Sequence, residues 1–156
     1  WEQEMWFPYG GFPIRHDTKR EDWESAIGMA TMRLDGFAAW EAGAESGELL
    51  TQPFHCNGDR LFINADAQNG SVTVEVLDEK GNPLKGLDAK SCRVVSTDTL
   101  AKERDGWVQW KNQKDIHRLK GKQIQLRFTL KNAKLYSFRI ADEKTLKLSV
   151  PRATKQ

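Results

Sequence analysis

Residues 123–130, QIQLRFTL, alternate polar and apolar side chains without interruption. A period of two places every second side chain on the same face of an extended chain, so this stretch predicts a β-strand with one face in a core. The expected inward residues are Ile124, Leu126, Phe128 and Leu130, and the expected outward residues include Arg127 and Thr129.

The same alternation recurs on both sides of this strand. It covers residues 61–63, 72–76, 93–95, 107–110 and 135–140, with residues typical of tight turns between them. In residues 72–76 the expected inward side chains are Val72, Val74 and Val76. Many short strands, frequent turns and no long helical pattern are typical of antiparallel two-layered folds. The sequence therefore predicts an all-β protein, an antiparallel β-sandwich or jelly roll, with an N-terminal strand-and-loop extension.

Two turns predict hairpins. Asp35-Gly36 is a tight-turn dipeptide, which we expect to join a strand over residues 26–34 to a partner over 37–40. Residues 131–134, KNAK, are expected to return the strand at 123–130 into the next one. In that next strand the expected inward residues are Tyr136, Phe138 and Ile140, with Ser137 and Arg139 facing water.

The 156-residue length suits one domain with a two-sheet core. We expect the sandwich to span residues 26–150, after an aromatic-rich extension over residues 1–25 and before a frayed tail over 151–156. No apolar run approaches the roughly 18 residues of a membrane span. The chain opens on Trp1 without a signal peptide, so we expect a mature fragment or a piece of a longer protein.

Charge is distributed unevenly along the chain. Residues 1–66 carry 5 Lys or Arg against 12 Asp or Glu, a net charge of −7, and residues 67–156 carry 19 against 10, a net charge of +9. If the basic half shares one face, it favours anionic partners such as acidic glycans or nucleic acid. The alternative is that these cations occupy ordinary solvent-facing strand positions.

Motifs for catalysis or metal binding are not evident in the sequence. There is no dinucleotide loop, P-loop or nucleophile elbow. The three histidines, His16, His55 and His117, are far apart and lack metal-ligand spacing. Asn64 and Asp66 could belong to a calcium site, but no cluster of hard oxygen ligands surrounds them. We therefore predict no cofactor and no catalytic residue.

The two cysteines, Cys56 and Cys92, are too few for a disulfide framework or a zinc site. They are either two buried free thiols or one pair, and the sequence leaves both possibilities open.

Tryptophans offer the clearest binding chemistry, because an indole has a flat apolar face and a polar N–H, which suit both sugar stacking and core packing. Trp107 and Trp110 lie at odd spacing, so in a strand they point to opposite faces. Val108 shares the face of Trp110. We therefore expect Trp110 in the core and Trp107 exposed.

Several ordered segments resemble the C-terminal β-sandwich of bacterial carbohydrate-active proteins. These segments are residues 28–37, 47–53, 61–66, 74–78 and 126–138. In that family the sandwich follows a five-bladed β-propeller similar to those of glycoside hydrolase families 32 and 43. The resemblance implies a carbohydrate-binding-module-like domain from a secreted, periplasmic or cell-surface protein.

The resemblance also accounts for the first segment. Residues 5–11, MWFPYGG, with His16, look like a final propeller strand that leads into the sandwich. The rest of the propeller, where such enzymes keep their catalytic carboxylates, is not in this chain. Catalysis is therefore not expected here.

Two main hypotheses about function follow. In the first, the chain is a non-catalytic accessory module that binds polysaccharide or oligosaccharide by stacking, alongside a catalytic domain of the same parent chain. In the second, it is a structural sandwich that buttresses a propeller and has no ligand; a complete small hydrolase is a third, minor possibility. Nucleic acid is not an expected partner, because the glycine-aromatic signature of RNA-binding sheets is missing. A membrane is not an expected partner, because no apolar run is long enough to span one. The candidate binding residues are Trp107, Trp6 and Trp23, with Arg127 and Arg139 for an acidic glycan.

Overall fold

The computed structural model describes residues 4–12, 25–100 and 106–142. All strand pairs among them are antiparallel, which confirms the predicted all-β fold. Within these ranges, the chain has no helix with the length and apolar character of a membrane span. The strands are β1 (Glu4–Gly11), β2 (Ala26–Arg33), β3 (Trp40–Ala42), β4 (Gly47–Leu50), β5 (Phe54–His55), β6 (Arg60–Asp66), β7 (Ser71–Asp78), β8 (Gln123–Lys131) and β9 (Ala133–Ala141), with a 3-10 turn at His117–Leu119.

The chain divides into two compact units, Trp1–Phe37 and Ala38–Gln156. In the first unit, β2 pairs with β1 over eight residues and not with the predicted partner at 37–40. The turn at Asp35 is confirmed, and its φ of 56° is a conformation that Asp tolerates well. The division falls after Phe37, whereas the sequence prediction began the sandwich at residue 26, and the β1–β2 pairing accounts for the difference.

The second unit contains two sheets whose inward residues form one hydrophobic cluster. One sheet has the order β3-β9-β6; in the other, β8 lies between β7 on one side and β4 with β5 on the other. Phe128 of β8 and Phe138 of β9 link the sheets, with ring centroids 5.4 Å apart. The inward sets predicted for β7 and β8 are confirmed, since all of these side chains are buried: Val72, Val74, Val76, Ile124, Leu126, Phe128 and Leu130.

The predicted hairpin between β8 and β9 is wrong, because the two strands belong to different sheets. The link at Asn132, with a φ of 43°, carries the chain across the core. Its amide donates to the Gly43 carbonyl at 2.8 Å instead of closing a hairpin ladder. A short polar link between two alternating strands looks the same in sequence whether the strands pair side by side or face each other.

A β-bulge corrects the faces predicted for β9. The register with β6 shifts so that Asn64 pairs with Ser137 and Ala65 with Leu135, which leaves Tyr136 as the extra residue. Leu135 is buried and Tyr136 is half-buried. The inward positions therefore change from odd to even numbers along β9, and Tyr136 does not simply continue the face of Phe138.

Two predicted strands, at 93–95 and 107–110, form isolated bridges and no regular ladder. Val95 bridges to Val72 of β7, and Trp107 bridges to Phe62 of β6. The amide of Arg93 donates to the Gln109 carbonyl at 2.8 Å, so the two segments also pair with each other. They join the free edges of the two sheets and close this side of the sandwich. Jelly-roll connectivity stays a prediction.

Both cysteines are free and buried, at 0% exposure for Cys56 and 6% for Cys92. Burial raises the pKa of each thiol, which lowers the fraction of reactive thiolate at neutral pH. We expect a water-soluble disulfide reagent to label neither cysteine in the native protein and both after unfolding in guanidinium. Rapid native labelling of either one would contradict its position in the core.

Candidate functional site

A shallow groove of about 190 Å³ lies between residues 93–97 and the facing segment with Trp107 and Gln109. Its backbone is held on both sides. Val95 exchanges two hydrogen bonds with Val72, at 2.8 and 2.9 Å, and the Val108 amide donates to Leu61 at 3.0 Å. The groove is therefore built on sheet edges, and its backbone has a defined position.

Trp107 forms one wall of the groove, and its indole packs against Arg60. The Arg60 guanidinium carbon lies 5.1 Å from the centroid of the ring, a cation–π geometry. Arg60 also donates to the backbone carbonyl of Lys114, which fixes the guanidinium. Before Trp107, a Cβ at Gly106 would lie 2.4 Å from the Phe62 ring, so only glycine permits this approach.

Besides Trp107, Val94 and Val95, the groove is lined by four polar side chains. Arg93, Ser96 and Thr97 are exposed, and Gln109 is half-buried. Among the residues that the structure describes, none of these four side chains has a hydrogen-bond or ion-pair partner within the protein. Hydroxyl, amide and guanidinium groups beside an indole can donate and accept hydrogen bonds with a polar ligand that stacks on the ring.

An outward row connects two of the predicted site residues. In the sheet β3-β9-β6, Phe62 pairs with Arg139 on one side and bridges to Trp107 on the other. Paired residues in antiparallel strands face the same way, so Arg139, Phe62 and Trp107 cross the outer face of this sheet. Trp107 itself is half-buried. Trp110 is buried, at 1% exposure, as predicted from the sequence.

The other predicted site residues do not join this row. Arg127 lies on the outer face of the opposite sheet, where its guanidinium donates to Glu75 at 2.9 Å. Glu75 also accepts from the Ala89 amide at 3.0 Å. Trp6 lies on β1 in the first unit with 43% exposure, and Trp23 lies outside the described residues. The structure thus brings together only Trp107 and Arg139 of the predicted set.

Sequence reasoning missed Arg60, Phe62 and Arg93 as members of this surface. A signal for Phe62 exists, because Leu61 and Ile63 on either side of it read as core and leave it pointing outward. Arg93 carries no such signal. Its place in the groove depends on the pairing of its segment with Gln109, which is 16 residues further along the chain.

Other polar groups near the groove are engaged within the protein. Asp115 makes hydrogen bonds with the His117 side chain and amide, which lower the pKa of its carboxyl; the Arg60 guanidinium acts in the same direction. Asp66 accepts from the Gln68 amide at 3.3 Å. Within the described ranges, no group of three or more His, Cys, Asp or Glu residues is arranged to hold a metal ion.

Comparison of the chain with protein-family models, with curated proteins and with solved structures finds no match.

Proposed function

We propose that this protein is a non-catalytic carbohydrate-binding module that holds a glycan in the groove beside Trp107. The observation that carries the proposal is the indole of Trp107, fixed under Arg60 and flanked by polar side chains that have no partner among the described residues. A sugar ring presents an apolar face of axial C–H groups and a rim of hydroxyls. The groove offers a flat apolar surface and hydrogen-bonding groups beside it.

Preorganisation supports this proposal. Because Arg60 already restricts the Trp107 rotamer, less side-chain entropy is lost when a ligand stacks on the ring. The site is nevertheless shallow and makes few contacts. We therefore expect a dissociation constant on the order of micromolar to millimolar for one short oligosaccharide.

The resemblance of residues 26–141 to propeller-associated sandwiches supports a wider proposal. We propose that the chain is an accessory module of a bacterial glycan-degrading enzyme that acts outside the cytoplasm. The catalytic carboxylates then belong to a catalytic domain of the same parent chain, and this module increases the time that the enzyme spends on its polysaccharide.

Replacement of Trp107 by alanine tests the binding proposal. We expect affinity for the retained glycan to fall about tenfold, because the stacking surface is removed. The measurement is electrophoretic mobility in native gels containing graded concentrations of soluble polysaccharide. Trp40→Ala is the matched control, because Trp40 is 64% exposed and lies on β3, at the opposite edge of the same sheet. Equal retardation of wild type and Trp107→Ala would show that stacking on Trp107 does not hold the glycan.

The first unit favours a second candidate function, that of a structural module that packs against another β-domain. Large apolar side chains are exposed on both faces of the β1–β2 hairpin: Trp6, Phe7, Tyr9, Ile27 and Met29. An isolated two-stranded hairpin is marginally stable in water, and exposed apolar patches of this kind mark interaction surfaces. This candidate predicts self-association of the purified chain, which sedimentation velocity measures. A monodisperse monomer that retains glycan would leave the binding module as the function.

A further inference from the structure

Resting on the function proposed above, we propose that the groove selects acidic glycans, with the carboxylate of a uronic acid bound by Arg93 while a sugar ring stacks on Trp107. Both residues line the same groove, on facing segments. The ligand class is thus a polysaccharide that contains unesterified uronate.

The environment of Arg93 suits an external anion. Its backbone is fixed by the 2.8 Å hydrogen bond to Gln109, whereas its side chain is exposed and has no ion-pair partner among the described residues. Arg127 is the opposite case, since Glu75 already holds its guanidinium at 2.9 Å. A guanidinium binds a carboxylate through two parallel hydrogen bonds, which gives both affinity and orientation.

The groove lining has the charge that this ligand needs, because Arg93 is its charged residue. Arg60 lies over Trp107 and interacts with Asp115, and Arg139 lies on the same sheet face beyond Phe62. The nearest described acid along the chain, Asp98, accepts from the Leu100 amide at 2.9 Å and is half-buried. The groove lining itself contains no carboxylate. A cationic groove raises the local concentration of an anionic polymer and speeds its association.

Neutral side chains complete the recognition of a sugar acid. Ser96 and Thr97 lie on the same segment of the groove as Arg93, and Gln109 lies opposite Arg93. These groups can bond the ring hydroxyls next to a carboxylate without competing with Arg93 for it. Trp107 therefore stacks on a sugar ring, Arg93 binds the carboxylate, and the remaining polar side chains contact the ring hydroxyls.

The test compares a polyuronate with its uncharged ester and with a polysaccharide that carries sulfate in place of carboxylate. Native gels contain polygalacturonate, its fully methyl-esterified form, or a sulfated dextran, and the proteins are wild type, Arg93→Gln and Lys122→Gln. Lys122 is exposed and lies just before β8. The Lys122→Gln substitution removes one positive charge, as Arg93→Gln does. We expect Arg93→Gln to bind polygalacturonate about tenfold more weakly than wild type and Lys122→Gln to stay within about twofold. Circular dichroism confirms that both variants are folded.

Equal binding of the free acid and the methyl ester would overturn this inference while leaving glycan binding intact. An equal loss for Arg93→Gln and Lys122→Gln would also overturn it, because only general charge attraction would then be at work. Stronger retention on sulfated dextran than on polygalacturonate would assign the groove to sulfate and overturn the uronate assignment. Failure to retain any acidic or neutral glycan would overturn the proposed function itself.

Discussion

Replacing Trp110 by alanine is expected to lower the free energy of unfolding by about 4 kcal/mol. Trp110 is 1% exposed, and its Nε1 donates to the Val74 carbonyl at 3.1 Å, so it joins the closing segment to β7 through the core. The alanine variant leaves a cavity and removes the partner of a buried carbonyl, two losses that add to each other. Urea unfolding followed by far-ultraviolet circular dichroism measures the change.

Trp107→Ala provides the matched control three residues away. Trp107 is half-buried on the outer surface, so we expect its loss to change the unfolding free energy by only about 1 kcal/mol. The two variants should then separate stability from binding. Trp110→Ala unfolds at a lower urea concentration than wild type, whereas Trp107→Ala stays folded but binds the glycan more weakly. Similar destabilisation of both proteins would contradict the assignment of these two side chains to opposite faces.

Gly70→Ala is expected to destabilise the protein by about 3 kcal/mol, because the new methyl group meets backbone atoms that cannot move independently. A Cβ at Gly70 would lie 1.8 Å from the Lys131 carbonyl oxygen and 2.5 Å from that of Asn132. Gly70 precedes β7, and residues 131–132 form the crossing from β8 to β9. The clash therefore forces apart elements that both sheets depend on. Thermal and urea unfolding measure the loss.

Gly43→Ala is the control for this substitution. A Cβ at Gly43 has no atom within 4 Å, so we expect its unfolding free energy to stay within about 0.5 kcal/mol of wild type. Gly43 also lies beside the crossing, because its carbonyl accepts from the Asn132 amide. If the two variants are equally stable, the close packing of Gly70 against the crossing is wrong.

The sequence predicted which side of a strand is buried better than it predicted which strands pair with each other. Alternation in residues 72–76 and 123–130 identified the buried side of β7 and β8, because a strand with one face in a core must repeat with a period of two. The same pattern does not encode which strand lies alongside. The crossing at Asn132 and the pairing of β2 with β1 were both missed for this reason.

The candidate site shows the same difference between side-chain direction, which the sequence predicts, and strand pairing, which it does not. Odd spacing predicted that Trp107 and Trp110 face opposite ways, and the position of Val108 favoured Trp110 for the core, where the structure has it. Arg93 joins Trp107 only through tertiary pairing of the two closing segments, and Arg127 is turned away on the other sheet, where Glu75 binds it. A local pattern determines which way a side chain points from its strand, but the charges that share a groove are determined by how distant strands assemble.

An amide-resolved NMR titration of the whole chain with a uronate trisaccharide and with a neutral trisaccharide shows directly whether the groove at Trp107 binds glycan. We expect saturable shifts in the amides of residues 93–97, in Gln109 and in the indole N–H of Trp107, larger with the uronate. Arg127 and the β1–β2 hairpin should not respond. Shifts confined to the hairpin, or no shifts at millimolar ligand, would contradict a glycan-binding groove at Trp107.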